Sequence, residues 1–215
     1  MELSASPWSA NMGSFETEIL RVEPYVHRFH FDVADGTYVP TLLFFPDLVK
    51  ALRPLTKKEF DVHLIVEDPI KYIDMFAEAG VNKLIAYLEH VQKNPDFLEL
   101  VKAKNMKVGI ALPLNDTVDM VQPFLDKIDQ LEIIGTDPGI KGVDINPEVY
   151  DKIRIAKAEI KRRKLNVLVE ADGGIRKHTV PKLFEAGVDA IVPGSLIFKE
   201  DAEEIYNWIQ ELTKK

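Results

Sequence analysis

His30 and Asp32 stand two residues apart in "RFHFDVADG", His63 lies in "FDVHLIVEDP" and Asp172 in "VLVEADGGI". Each is at or near the end of a short apolar run rich in β-branched residues. Alternate residues of a strand project from the same face, so His30 and Asp32 point together. Three strand ends that aim imidazole and carboxylate at one place could hold a divalent cation. The same arrangement sets two carboxylates where they could transfer protons.

Such a convergence needs elements that bring distant strand ends together. The hydrophobic pattern predicts strands over 2–6, 26–32, 60–66, 83–87, 107–112, 130–135, 166–171 and 190–192. Amphipathic helical patterns fall between them, over 69–79, 96–103, 117–125, 147–164, 177–186 and 202–212. Pro69 and Pro147 suit a first helical turn, and Gly80 and Gly187 suit the residue just past a helix end. Strands alternating with crossover helices imply a parallel sheet. The segments "FAEAGVN" and "LFEAGVD" repeat this helix-end, glycine, strand grammar. No linker or composition break divides the chain, so the expectation is a single (β/α)8 TIM barrel domain over residues 1–215. A doubly wound sheet is the alternative, but no glycine-rich dinucleotide loop follows the first strand.

Composition sets limits on function. The 215 residues are 46% hydrophobic and 29% charged, as in ordinary globular proteins. No apolar stretch approaches the roughly 18–20 residues of a membrane helix, and the opening "MELSASPWSANMG" has no secretory pattern. With no cysteine, disulfides, thiolate zinc sites and a cysteine nucleophile are excluded, which suits a cytoplasmic enzyme. A net charge of −8 argues against nucleic acid or an anionic membrane as partner. An anionic substrate would then need local attraction from a cation, helix N-termini or backbone N–H groups.

In a barrel of this class the reactive residues come from the C-terminal strand ends and the loops that follow. His30 and Asp32 are expected to close the second strand, His63 to lie within the third and Asp172 to follow the seventh. "DPGIKG" (137–142), "DGG" (172–174) and "PGS" (193–195) follow strands six, seven and eight. Phosphates commonly sit among these late loops, held by backbone N–H groups that glycine allows to come close. Other residues read more plainly. Asp35, before Gly36, is a turn residue; Asp61 is a supporting partner or strand-end charge; His27, His90 and His178 are surface or loop residues. The "KRRK" run at 161–164 is a solvated helix end, and Trp8 and Trp208 are packing residues, with Trp8 also a candidate for the mouth of the site.

These motifs resemble the ribulose-phosphate 3-epimerases. "RFHFDVADGTYVP" resembles that family's His-x-Asp-x-x-Asp-Gly-x-x-Val-Pro segment, and "DVHLIVEDPIKYIDMFAEAG" is similar to its Asp-x-His strand and following helix. "EADGGI" and "PGSLIF" match its late glycine motifs, and "SASPWSAN" its first strand, so the similarity runs from about Ser4 to Phe198. The resemblance implies that His30, Asp32, His63 and Asp172 ligate one divalent metal ion (Zn, Mn, Fe or Co), and that Asp32 and Asp172 are the catalytic acid/base pair. It also implies that Ser6, His63, Gly139, Ile140, Lys141, Gly142, Gly173, Gly174, Gly194 and Ser195 contact the substrate or its phosphate. The implied partner is a small-molecule sugar phosphate, and the implied assembly a homo-oligomer.

The implied reaction is epimerisation at carbon 3 of a ketose phosphate, D-ribulose 5-phosphate to D-xylulose 5-phosphate, through an enediolate. Two bases on opposite faces serve it only if one is protonated while the other is ionised. The family usually carries methionine where this chain has Ala34, Ile65 and Ile134, and Lys141 replaces a glycine. Tyr87 stands where histidine is common and Thr41 where asparagine is. A reshaped pocket makes a six-carbon ketose phosphate such as allulose 6-phosphate an alternative substrate. A sugar-phosphate decarboxylase would want lysine two residues after Asp32 or Asp61, where the chain has Ala34 and His63. A non-catalytic sugar-phosphate-binding relative is a third reading, opposed by retention of both carboxylates.

Overall fold

Short runs dominated by Val, Ile, Leu and Phe are buried on both faces, as parallel strands covered by helices must be. A computed structural model describes residues 1–214. Its strands are β1 (Glu2–Ala5), β2 (Arg28–Asp35), β3 (Glu59–Ile65), β4 (Lys83–Tyr87), β5 (Lys107–Leu112), β6 (Gln130–Ile134), β7 (Leu168–Asp172) and β8 (Ala190–Val192). Each pairs in parallel with its neighbour, and β1 closes on both β8 and β2. This is the (β/α)8 barrel expected from the sequence, with helices around it.

Register decides which side chains meet inside. His30 is level with Asp61 and Asp32 with His63 across β2 and β3. Across β6 and β7, Glu132 is level with Glu170 and Ile134 with Asp172. Between these two sides β5 offers only Gly109 and Ala111, and a Cβ on Gly109 would stand 2.9 Å from Ile85 Cγ1. Small residues on β5 therefore leave barrel volume to the larger side chains opposite.

The structure differs from the sequence reading at several boundaries. β2 runs on to Asp35 rather than stopping at Asp32, because Val33 and Ala34 continue the parallel ladder with Leu64 and Ile65, and Ala34 and Asp35 also pair with a two-residue antiparallel strand, Leu42–Leu43. His30 and Asp32 thus lie within the strand, and Asp172 is the last residue of β7 rather than the residue after it. Helices Phe15–Val22, Pro46–Leu52 and Leu88–Lys93 were not expected. Leu88–Lys93 follows Tyr87 with no punctuating residue between strand and helix. It also carries His90 into the interior, 6% exposed, where its ring lies 5.2 Å from that of Tyr38, so His90 is not a surface residue.

Candidate active site

At the C-terminal end of the barrel a cavity of about 700 Å³ is lined by Ser6 of the β1 end, Asp32, His63 and Asp172. The three late glycine loops form another part of its wall. Every residue expected there from the sequence lines this cavity except His30, which is wholly buried. His30, Asp32, His63 and Asp172 each present a potential ligand atom within 4.8 Å of the others.

Asp32 divides its two oxygens between neighbours. Ser6 Oγ donates to Oδ2 at 3.0 Å, while Oδ1 lies 3.5 Å from His30 Nε2 and 3.7 Å from His63 Nδ1. Among the described residues, both ring nitrogens of both histidines are buried without a hydrogen-bond partner. Unpartnered polar atoms in a barrel interior are costly. One nitrogen from each imidazole, His30 Nε2 and His63 Nδ1, faces the Asp32 carboxylate, which suits a divalent cation bound by imidazole and carboxylate, so the residues present fit a metal ion.

The electrostatics separate the two aspartates. Burial opposes ionisation of Asp32, but contacts with His30 and His63 overcome it and hold the carboxyl well below the usual range. Burial and repulsion from Asp32 push Asp172 up to about 8. Burial works against a charged His63, yet Glu132 and Asp32 raise it to about 9. His30 is raised as well, burial being outweighed by Glu132 and Asp32. Near neutral pH the metal-free site therefore pairs an ionised Asp32 with a protonated Asp172.

The glycine loops have backbone reasons for their composition. Gly173 and Gly174 both have positive φ, +88° and +71°, and a Cβ on Gly174 would stand 2.1 Å from Ile145 N. Only glycine lets strand β7 end this close to the loop that follows β6. Ser195, at the start of a short helix, receives a 3.2 Å hydrogen bond from Arg176 Nη1 on its Oγ. Lys141 Nζ donates to the Trp8 carbonyl at 2.6 Å and lies 4.2 Å from the centre of its ring. Lys141, Arg176 and Lys199 thus bring cations to the wall of one cavity in a chain of net charge −8.

Some sequence readings hold in detail. Asp35 accepts from the backbone of Thr37 at 2.8 Å, Tyr38 at 3.3 Å and Glu67 at 3.2 Å, as a turn residue should. Asp61 accepts from Lys83 Nζ at 3.0 Å beneath the site, a supporting partner rather than one of its four gathered groups. His178 is exposed, 3.2 Å from Asp144, and His27 accepts from the Leu3 N–H at 3.1 Å.

Other residues were missed. Arg176 immediately follows "DGGI", where its charge was legible but its direction was not. Glu132 sits in "QLEII", and the alternation Gln130, Glu132, Ile134 was the signal that it shares a face with pocket residue Ile134.

Comparison with known proteins gives the family. Residues 2–198 match the model of the ribulose-phosphate 3 epimerase family. Ribulose-phosphate 3-epimerase of Bacillus subtilis (strain 168) is 32% identical over 200 residues, 92% of each chain. That of Synechocystis sp. is 36% identical over 194 residues, 88% of this chain and 84% of the relative. Among solved structures, 3-hexulose-6-phosphate synthase superposes with a TM-score of 0.69 at 16% identity, covering 99% of both chains. The tryptophan synthase α-subunit of Pyrococcus furiosus does so at 0.68 and 16%, covering 99% of this chain and 97% of its own. These two likenesses are of fold alone. The match along nearly the whole length, and the identity to its curated members, make this chain an isomerase of the ribulose-phosphate 3-epimerase family.

Proposed function

We propose that the protein epimerises D-ribulose 5-phosphate to D-xylulose 5-phosphate by two-base proton transfer, with one divalent metal ion in the site. Family membership supports epimerisation of a pentulose phosphate. The observation that carries the finer reading is the pair Asp32 and Asp172 in one cavity, displaced in opposite directions beside the imidazoles of His30 and His63.

Epimerisation next to a ketone removes a carbon-bound proton and returns one on the opposite face. Asp32, ionised and oriented by Ser6, accepts the proton; Asp172, protonated, donates from the other side. In the reverse direction the two exchange roles. His30, Asp32, His63 and Asp172 would hold the ion, which supplies Lewis-acid stabilisation of negative charge on the substrate oxygens. Proton transfer of this kind contributes roughly 10²–10⁴-fold, so electrostatic stabilisation must contribute much of the rest.

The phosphate would sit against the backbone of Gly173, Gly174 and Gly194, Ser195 and the 139–142 loop. Arg176 offers a charge-assisted contact through the Nη1 it now gives to Ser195 Oγ. Residues 1–215 act in this reading as one barrel domain. A second reading keeps the chemistry and changes the sugar: Ala34, Ile65 and Ile134 form an apolar wall with Tyr87, and a six-carbon ketose phosphate is the candidate.

The test is an assay in D2O with added Mn²⁺ or Zn²⁺, following product and deuterium at carbon 3 by NMR. Deuterated xylulose 5-phosphate supports the proposal. Neither product nor exchange from ribulose 5-phosphate, with turnover of a six-carbon ketose phosphate, supports the second reading.

A further inference from the structure

Beneath the four gathered residues lies a buried carboxylate that the mechanism above does not use. Glu132 is fully buried, one inward-facing step nearer the N-terminal strand ends than Ile134 and Asp172. Its Oε2 is 3.5 Å from the donor Gln130 Nε2. Gln130 is fixed in turn by Lys83 Nζ, which donates to its Oε1 at 2.6 Å, and by Glu170, which accepts from its Nε2 at 2.7 Å. The other oxygen, Oε1, is buried and makes no hydrogen bond among the described residues.

That oxygen is 3.1 Å from His63 Nδ1 and 3.8 Å from His30 Nε2. Asp32 Oδ1 faces the same two nitrogens at 3.7 and 3.5 Å. Metal–ligand bonds of about 2.0–2.2 Å put neighbouring donors about 3.0–3.5 Å apart. Two of the four separations, 3.1 and 3.5 Å, fall within that range, and the other two, 3.7 and 3.8 Å, lie just beyond it. The nearby fixed cations are engaged elsewhere: Lys83 with Asp61, and Arg28 with Glu2, Asp61 and Glu170. Neutral imidazole nitrogens and a carboxylate oxygen are all electron-pair donors, so two ring nitrogens and Oε1 that converge without a hydrogen bond form a set that a divalent cation would satisfy.

We propose that Glu132 is a further metal ligand, supplied from the floor of the barrel, its Oε1 sharing with Asp32 Oδ1 the ion held by His30 and His63. The inference rests on the metal-dependent reading above. It gives the ion an anionic ligand on the side away from the cavity, so the Asp32 and Asp172 carboxylates remain the ones that face the sugar.

A crystal structure of the wild-type protein with Mn²⁺, located by its anomalous signal, tests this without a variant. Mn²⁺ suits an oxygen-rich ligand set. The expected result is Glu132 Oε1 within about 2.3 Å of the ion, near the usual carboxylate–metal distance. An ion held by His30, Asp32, His63 and Asp172 with Oε1 beyond about 3 Å overturns the Glu132 assignment and leaves the metal reading intact. No ion at the cluster overturns both. In solution, Glu132→Gln is expected to weaken Mn²⁺ binding more than about 100-fold, beyond the loss typical of residues that only orient ligands. Binding within about tenfold of wild type contradicts the assignment.

Discussion

Ser6 Oγ donates to Asp32 Oδ2 at 3.0 Å from the residue that follows β1, while Asp32 Oδ1 faces the two imidazoles. The two oxygens of one carboxylate therefore have different neighbours, Oδ1 toward the two imidazoles and Oδ2 toward the serine. Removing the hydroxyl should disturb the second contact alone. Ser6→Ala is expected to lower kcat about 10–100-fold, the value of a hydrogen bond to a charged group, with metal affinity little changed. Steady-state kinetics beside metal titration check the split; equal losses in both would assign Ser6 to the metal site as a whole.

Metal binding should compete with protons. In the metal-free protein His63 keeps its proton to about pH 9 and Asp172 to about pH 8. An imidazolium must lose its proton to bind, whereas a carboxylic acid can bind through its carbonyl oxygen and keep its own, so binding at pH 7 releases imidazole protons and affinity rises as pH climbs toward 9. Calorimetry at pH 7 in buffers of different ionisation enthalpy should detect this release, with less of it above pH 9. An affinity flat from pH 6 to 9 would contradict these protonation states.

Gly174 offers a stability test away from the proton chemistry. Gly174→Ala would force a non-glycine residue to φ +71° and place its Cβ 2.1 Å from Ile145 N. The backbone conformation alone costs about 1–3 kcal/mol, and the contact requires the loop after β6 to move. Thermal unfolding is expected to fall by several degrees, at about 2–4 °C per kcal/mol for a chain of this size. A melting temperature within a degree of wild type would show that the loop yields freely.

The parts of this site that were legible in sequence share a local signature. His30 and Asp32 are two apart in a strand, His63 is flanked by apolar residues, and Asp172 precedes two glycines, so each carried its own mark. Glu132 carried a fainter one. A lone charge in "QLEII" usually marks a solvent face, and only closure of the sheet turns that face inward beside His63. The end of β2 was misjudged for the same reason: Val33 and Ala34 are held by Leu64 and Ile65, and Ala34 and Asp35 by Leu43 and Leu42, partners distant in sequence that no local pattern names. Arg176 was visible as a charge, but its approach to Ser195, 19 residues on, depends on two adjacent loops folding together.

The central claim is that Asp32 and Asp172 act as separate bases on opposite faces of one carbon. Its most direct test is deuterium exchange at carbon 3, in D2O with metal bound, by Asp32→Asn and Asp172→Asn. Each variant is expected to lose net epimerisation by at least about 10²-fold. Each should still exchange the proton of one epimer only, a different epimer for each variant. Exchange of both epimers by either variant, or near-wild-type turnover by Asp172→Asn, would contradict the two-base account.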